Sequence, residues 1–294
     1  LFVAKFDMGV AGVSVATVIA QFVSSALCMW KLLHMRSVFD LGRKELKMDG
    51  SKVREIVRLG LPSGLTQAIF SSAMIIVQSL TNSFGEQFIA ANVIVMRVDG
   101  FAMMPNFSFG QAMSVYTGQN VGAGKWKRVQ KGVIQGSLIA QTFAVVIVVV
   151  LLFLNKYLFG IFTETEALID LAGRMMRIMA VGYIAISITQ VLGGVMRGCG
   201  DTVTPMWISI ISTILFRIPT AYIMAALTKN EAYPNGQPIS IFTSLLVSWT
   251  LGMVISIIVF RIGKWKKKNR KLTLELFADI PQRDIAVIKG KAPE

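Results

Sequence analysis

One carboxyl group lies well inside an apolar stretch of this sequence and is the first candidate for chemistry. Asp99 follows Arg97 by two positions in the stretch 88–117. On a helix their side chains diverge by about 200°, so the two charges pair poorly and each needs another partner. Because desolvation disfavours a charged carboxyl, Asp99 would exchange a proton near neutral pH. A structural Asp bonded to backbone or to an arginine is the open alternative.

Other polar side chains also interrupt the apolar stretches. Polar groups within a membrane span are costly and therefore suggest function, although amides often only join helices. Pro105 removes a backbone hydrogen bond, which predicts a kinked hinge in its stretch. Arg217 needs a partner or a route to the membrane surface. The residues predicted to line a polar cavity are Gln67, Gln78, Asn82, Asn92, Arg97, Asn106, Gln111, Tyr183 and Gln190.

The sequence lacks catalytic motifs. It has one His and two Cys, and it contains no HExxH motif, no Ser/His/Asp set and no paired carboxylates. The segment 118–125 resembles a phosphate-binding loop, but Trp126 follows Lys125 where that loop needs Ser or Thr. We therefore predict that the protein is not an enzyme and holds no resident metal or cofactor.

Glycines predict two tight turns between apolar stretches. The segments 118–125 and 196–202 are both rich in glycine. A bulky side chain resists a positive φ angle, so Gly122→Leu is expected to impair function by blocking the first turn. The predicted turn residues are Gly118, Gly122, Gly198 and Gly200.

Long apolar stretches must position these residues. A helix that crosses the hydrocarbon core needs about 20 mostly apolar residues, and 54% of the chain is hydrophobic while only 16% is charged. A membrane β-barrel would instead show alternating segments of about 10 residues. The sequence therefore predicts an all-α polytopic membrane protein with about seven transmembrane helices, near residues 8–30, 58–84, 88–117, 132–155, 171–196, 204–228 and 239–262.

The basic charge follows the predicted membrane topology. The net charge is +14, which would suggest nucleic acid if it formed one solvated patch. The cations gather instead in 31–58, 125–131 and 261–291, after the first, third and seventh stretches. These connections share one side of the membrane, and by the positive-inside rule that side is cytoplasmic. We predict a multi-pass protein of the cell membrane, with a cytoplasmic C-terminus and no nucleic-acid partner.

The connection 35–57 divides the chain into unequal parts. One apolar stretch precedes it within 1–34, six follow within 58–262, and 263–294 forms a basic tail. Ser51 is typical of a residue that begins a helix. Residue 1 is Leu, and 1–6 reads like the end of an apolar helix. We expect a fragment: the end of one lobe, an interlobe linker and a complete six-helix lobe.

Several motifs resemble those of the MATE family, the multidrug and toxic compound extrusion transporters. Their order, spacing and placement on alternate cytoplasmic connections match that family over roughly residues 1–262. The motifs are Gly60-Leu61-Pro62-Ser63-Gly64, the run from Pro105 through Gly110-Gln111-Ala112 to Gly118-Gln119-Asn120-Val121-Gly122-Ala123-Gly124, the run Gly194-Val195-Met196-Arg197-Gly198-Cys199-Gly200-Asp201-Thr202, and the helix that begins Gly9-Val10-Ala11-Gly12.

The resemblance implies twelve helices in two pseudo-symmetric lobes, of which this chain holds the end of helix five, helix six, the linker and helices seven to twelve. It also implies export of cationic or amphipathic organic compounds in exchange for Na⁺ or H⁺, with the lobes rocking between inward-open and outward-open states. The partners implied are the lipid bilayer, the drug substrate and the missing N-terminal lobe. The site would lie between repeats, as in other secondary transporters.

The chain departs from one pattern of that family. Some members hold the coupling cation with a Glu on the seventh helix and an Asp on the tenth, but neither 58–84 nor the membrane part of 171–196 contains an acid. Asp99, on the eighth helix, is therefore the candidate for ion coupling, and the choice between Na⁺ and H⁺ stays open.

Two alternatives remain at this point. A lipid or polysaccharide flippase of the same broad superfamily would need several cations in its cavity; the candidates are Arg97, Arg174, Arg177 and Arg217, two of them interfacial. A seven-helix receptor-like protein fits the helix count. A retinal protein, however, needs a Lys in its last helix, and 239–260 has none.

Overall fold

The computed structural model describes residues 5, 7–34, 48–231 and 233–263. Most of the predicted linker and nearly all of the predicted basic tail therefore lie outside the described residues. Within them the chain is helical apart from short connections and one isolated bridge. The helices are α1 Gly9–His34, α2 Gly50–Asn82, α3 Glu86–Gly122, α4 Trp126–Phe153, α5 Asn155–Gly160, α6 Glu166–Gly198, α7 Val203–Ser209, a π-helical segment Ile210–Arg217, α8 Ile218–Leu227 and α9 Ile239–Ile262.

Seven helical spans in the described residues are long and apolar enough to cross a membrane. Each predicted stretch coincides with one of them, and the sixth is built from α7, the π-helical segment and α8 together. In lipid the backbone must satisfy its own hydrogen bonds, so an apolar stretch of this length becomes a helix. The prediction of an all-α polytopic membrane protein is confirmed.

The chain divides into two units, Leu1–Ile56 and Val57–Glu294. The first contains α1, along which only Gly12 is buried, and the start of α2. The backbone N–H of Ser51 donates to Oδ1 of Asp49 at 2.8 Å. Asp49 therefore caps α2, and the prediction that Ser51 begins the helix was wrong. α2 continues without a break through the predicted boundary at residue 57 and through Pro62.

In the second unit α6 is the central helix and has a larger buried share than any other described span. It packs against α3, α4, α5 and α9. One apolar cluster surrounds Met176 and Tyr183 of α6, with Phe88 of α3 and Trp249 of α9. A second cluster lies further along α6 around Met196. The side chains of α6 are thus buried by its neighbours, while the outer helices expose apolar surface suited to lipid.

Small residues bring α3 and α6 into direct backbone contact. A Cβ added at Gly194 would lie 2.1 Å from the backbone O of Gly110, and one added at Gly198 would lie 2.3 Å from the backbone O of Ser114. The spacing is four residues on both helices, the small-xxx-small pattern that allows membrane helices to approach closely. These contacts fix the register in which the two helices meet.

The two glycine-rich turns are shorter than predicted. Gly118, Gly122 and Gly198 belong to α3 and α6, and none of the three has a positive φ. The left-handed positions are Gly124, with φ 69°, and Gly200, with φ 80°. The reason given for the Gly122→Leu prediction was therefore wrong, because that glycine is the last residue of α3. Of the four predicted turn residues, only Gly200 has the positive φ angle that was expected.

We now expect Gly124→Leu to be costly and Gly122→Leu to be tolerated. A leucine at Gly124 would have to adopt a left-handed backbone, at a cost of about 1–2 kcal/mol. At Gly122 an added Cβ would meet nothing within 4 Å, and the backbone φ is not positive. Thermal unfolding of the purified protein checks this: the melting temperature should fall for Gly124→Leu and change little for Gly122→Leu. The reverse order would show that the turn differs from the one described.

The sixth span contains an unusual backbone. Its π-helical segment, Ile210–Arg217, lies between two α-helical parts. The hydroxyl of Ser248 on α9 donates to the backbone O of Ser212 at 2.8 Å. π-helical turns occur frequently at functional sites, and this segment ends at Arg217, a half-buried arginine whose Nε is buried.

Candidate functional site

Asp99 of α3 meets Tyr183 of α6 inside the membrane-spanning part. The hydroxyl of Tyr183 donates to Oδ1 of Asp99 at 2.5 Å, across 84 residues of sequence. Tyr183 is fully buried, and its ring packs on Trp249 with the ring centroids 5.7 Å apart. A hydrogen bond to a charged group is short and strong. The tyrosine is thus held in place by packing, with its hydroxyl directed at the carboxylate.

Arg217 supplies the second charge of this site. Its charge acts electrostatically on Asp99. The two side chains form no direct ion pair, because no nitrogen of Arg217 lies within 4.0 Å of a carboxylate oxygen of Asp99. The Nε of Arg217 is buried without a hydrogen-bond partner in the described part of the chain. A positive charge therefore lies near the carboxylate without neutralising it through direct contact.

Unpaired polar atoms continue the site along the contact between α3 and α6. Asn106 lies seven positions after Asp99 and hence on the same stripe of α3; its Nδ2 is buried and unpaired within the described ranges. The hydroxyl of Ser187, one turn after Tyr183, is also buried and unpaired there. Buried polar atoms usually have partners. Water, an ion or a substrate group would satisfy these atoms.

Several residues predicted to line the cavity are exposed. The guanidinium of Arg97 lies 5.8 Å from the ring centroid of Phe162 and makes no ion pair with Asp99. Gln78 donates to Asn82 at 2.8 Å. Of the other residues predicted to line the cavity, Gln67 and Gln111 are exposed, Gln190 is half-buried and Asn92 is buried. The predicted hinge residue Pro105 is half-buried. The structure thus joins Asp99 and Tyr183, and it does not bring the exposed residues to them; their role in a cavity stays a prediction.

Part of this site was not foreseen from the sequence. Arg217 was expected to need a partner, but nothing in the sequence connected it with Asp99. Trp249 and Met176, which surround the Tyr183 hydroxyl and ring, look like ordinary apolar residues of membrane helices. The four-residue spacing of Gly110 and Ser114 was the one usable signal, because it marks the face on which α3 contacts another helix.

The MatE family model matches residues 62–223 of this sequence. That range is more than half of the chain and includes Asp99, Tyr183 and Arg217. The chain belongs to the MatE family. As a member it is a multi-pass membrane protein, and the seven-helix receptor alternative loses its support.

Curated relatives resemble the chain over most of its length. It is 26% identical over 270 residues to a probable multidrug resistance protein NorM of Thermotoga maritima, covering 89% of this chain and 55% of that protein. It is also 26% identical over 267 residues to a probable multidrug resistance protein YoeA of Bacillus subtilis, covering 89% of this chain and 56% of the relative. The chain spans about half the length of the curated relatives it matches.

Solved structures share the fold. A MOP superfamily transporter from Pyrococcus furiosus, described as having a binding pocket of reversed polarity that suggests a different function, superposes with a TM-score of 0.78 at 19% identity. The match covers 90% of this chain and 59% of that structure. A mutant form of the Vibrio cholerae MATE transporter VcmN gives 0.76 at 19% identity, covering 92% of this chain and 58% of that structure. The chain therefore shares the all-helical fold of these transporters over about nine-tenths of its length, and its division into lobes stays a prediction.

Proposed function

We propose that this chain is part of a drug efflux transporter that exports cationic or amphipathic organic compounds in exchange for an inward-moving cation. Its curated relatives carry the words multidrug resistance in their names. The observation in the structure that carries the proposal is the carboxylate of Asp99, placed in a membrane span and bonded to a buried tyrosine. An ionisable group in such a place marks an ion pathway by default.

The coupling ion acts at Asp99 in this proposal. A proton or Na⁺ that reaches the carboxylate neutralises it, so the electrostatic attraction between Asp99 and Arg217 weakens. Asp99, Tyr183 and Arg217 belong to α3, α6 and the end of the π-helical segment, so a change in their contacts acts on three spans at once. The bound and unbound states would then favour different arrangements of the lobe, which is the requirement for alternating access.

We propose a proton as the coupling ion. No group of three or more His, Cys, Asp or Glu side chains gathers within the described residues. A metal cation would therefore receive one carboxylate and would otherwise depend on neutral oxygens. A proton needs only the single carboxylate, and the Tyr183 hydroxyl can bond to either form by donating or accepting.

Transport by the purified intact protein in lipid vesicles tests this function. A cationic fluorescent dye should move against its gradient when a pH gradient is imposed, and it should not move in protein-free vesicles. A sodium gradient of the same size, at equal pH on both sides, tests the other ion. Dye movement driven only by sodium would overturn the choice of the proton, and movement driven by neither gradient would overturn the antiporter proposal.

The lipid flippase alternative needs cations in a central cavity. Arg174 and Arg177 are exposed, Arg97 is exposed and lies over Phe162, and Arg217 alone of the four candidates has a buried, unpaired guanidinium nitrogen. One such cation is a weak site for a lipid phosphate. A fluorescent-lipid flipping assay in the same vesicles separates the two functions, because an antiporter should move the dye and leave the lipid in its leaflet.

In this proposal the chain works with a second six-helix lobe of the same protein, and its drug site lies between the lobes. The exposed polar residues of α2 and α3, Gln67, Gln78, Asn82 and Gln111, would then face that cavity. The cell membrane is the proposed location, with the connection between α3 and α4 and the C-terminus in the cytoplasm, as the distribution of basic residues indicates.

A further inference from the structure

A polar pocket lies between the end of α3 and the start of α4, away from the site around Asp99. Its volume is about 380 Å³. It begins 17 positions after Asp99, which is roughly 25 Å along a helix, and so it is a separate site. The residues that line it are Tyr116, Gln119, Asn120, Ala123, Lys125 and Arg128.

Hydrogen bonds hold the walls of this pocket in place. The hydroxyl of Tyr116 donates to the backbone O of Arg128 at 3.1 Å, which ties α3 to the first turn of α4. The amide of Asn120 donates to the backbone O of Tyr116 at 2.8 Å. A Cβ at Gly132 would lie 2.2 Å from Cε1 of Tyr116, so this glycine leaves the space that the tyrosine ring fills. The pocket is therefore formed before any ligand arrives, which lowers the cost of binding.

The pocket presents positive charge that no acid in this part of the chain neutralises. Neither Lys125 nor Arg128 has an ion-pair partner among the described residues, and no Asp or Glu occurs between Asp99 and Glu164. The side-chain amide of Gln119 makes no hydrogen bond within the same described part. A guanidinium, an ammonium and an amide N–H group are together the donors that suit a phosphate.

Two backbone N–H groups of the turn already donate hydrogen bonds to carbonyl oxygens of α3. The N–H groups of Gly124 and Lys125 donate to the carbonyl oxygens of Val121 and Asn120, at 2.9 and 2.8 Å. A phosphate-binding loop of the nucleotide type holds its ligand with such N–H groups. In this turn, therefore, side chains must bind the phosphate instead.

We propose that the α3–α4 pocket binds a phosphate group, carried either by an anionic lipid headgroup or by a soluble phosphate compound. The pocket lies at the end of two membrane spans, where lipid headgroups are found, and the partly buried Trp126 begins α4 beside it. Tryptophan is enriched at this level of the membrane.

Lipid binding to the purified intact protein in detergent tests the proposal. Native mass spectrometry counts bound phosphatidylglycerol against bound phosphatidylcholine, at about 0.15 M salt to screen distant charges. The double variant Lys125→Gln, Arg128→Gln should bind phosphatidylglycerol at least about tenfold more weakly, because it loses two charge-assisted hydrogen bonds.

The matched control removes the same charge from outside the pocket. Lys127→Gln, Lys131→Gln should keep phosphatidylglycerol binding within about twofold of the original protein, since neither lysine lines the pocket. Equal losses in the two double variants would overturn the proposal, because diffuse attraction would explain both. Unchanged melting temperatures ensure that the comparison reports on binding.

Inorganic phosphate separates the two sources of the ligand. If added phosphate displaces phosphatidylglycerol from the original protein, the pocket takes the phosphate group alone, which supports a soluble compound. If phosphatidylglycerol stays bound, acyl-chain contacts contribute, which supports a lipid. Binding of neither phosphatidylglycerol nor inorganic phosphate would overturn the proposal.

Discussion

Asp99→Asn should abolish ion-coupled efflux and leave the protein folded. Asparagine keeps the size and hydrogen-bonding ability of the side chain, and its amide oxygen can still accept from Tyr183. It cannot gain or lose a proton, and it carries no charge to interact with Arg217. Dye efflux driven by a pH gradient in vesicles should fall to the level of protein-free vesicles.

The matched control for Asp99 is Asp170→Asn. Asp170 also lies on a described helix, α6, but it is exposed and its carboxylate pairs with exposed Lys156 at 3.9 Å. Exposed ion pairs contribute little to stability, so this variant should transport like the original protein. Full efflux by a well-expressed Asp99→Asn variant would contradict the proposed coupling role of Asp99, whatever the control shows.

Tyr183→Phe in the same assay tests the hydrogen bond by itself. Phenylalanine preserves the ring that packs on Trp249 and loses only the hydroxyl that donates to Asp99. Loss of a hydrogen bond to a charged group costs about 1.5–3 kcal/mol, so the pH dependence of efflux should change. An unchanged pH profile would show that the tyrosine is only a packing residue.

Gly194→Ala should destabilise the whole lobe. The added Cβ would lie 2.1 Å from the backbone O of Gly110, and a backbone atom cannot move aside as a side chain can. α3 and α6 must therefore separate, and overpacking of this kind costs about 1–3 kcal/mol. We expect a lower melting temperature in detergent. We also expect weaker efflux, since the same contact sets the distance between Asp99 and Tyr183.

The neighbouring glycine provides the control for this change. A Cβ at Gly193 would meet the guanidinium of Arg197 at 3.3 Å, the flexible end of a side chain. Alanine is also favoured over glycine in a helix by up to about 1 kcal/mol. Gly193→Ala should therefore melt at or slightly above the temperature of the original protein. Equal melting of the Gly193→Ala and Gly194→Ala variants would contradict the close approach of the two helices.

The sequence by itself was sufficient for the spans and the family. In lipid, the backbone of an apolar stretch of about 20 or more residues can satisfy its hydrogen bonds only by forming a helix. The structure of each stretch could therefore be predicted without knowledge of its neighbours. Motifs such as 194–202 identified the family for the same reason, since they are local runs of residues. The isolation of Asp99 could also be recognised from the sequence, because a single acidic residue in an apolar stretch can be identified without knowledge of the fold.

Only the tertiary structure decided which residues meet. The faces of these helices are apolar nearly all round, so periodicity did not show which side of α3 would contact α6, or that Asp99 would reach Tyr183 across 84 residues. That choice depends on where backbones approach most closely, which Gly110 and Gly194 determine. The prediction of the turn residues was wrong for a related reason. The sequence shows many glycines in these segments, but only the folded chain shows that Gly124, and not Gly122, has the left-handed backbone.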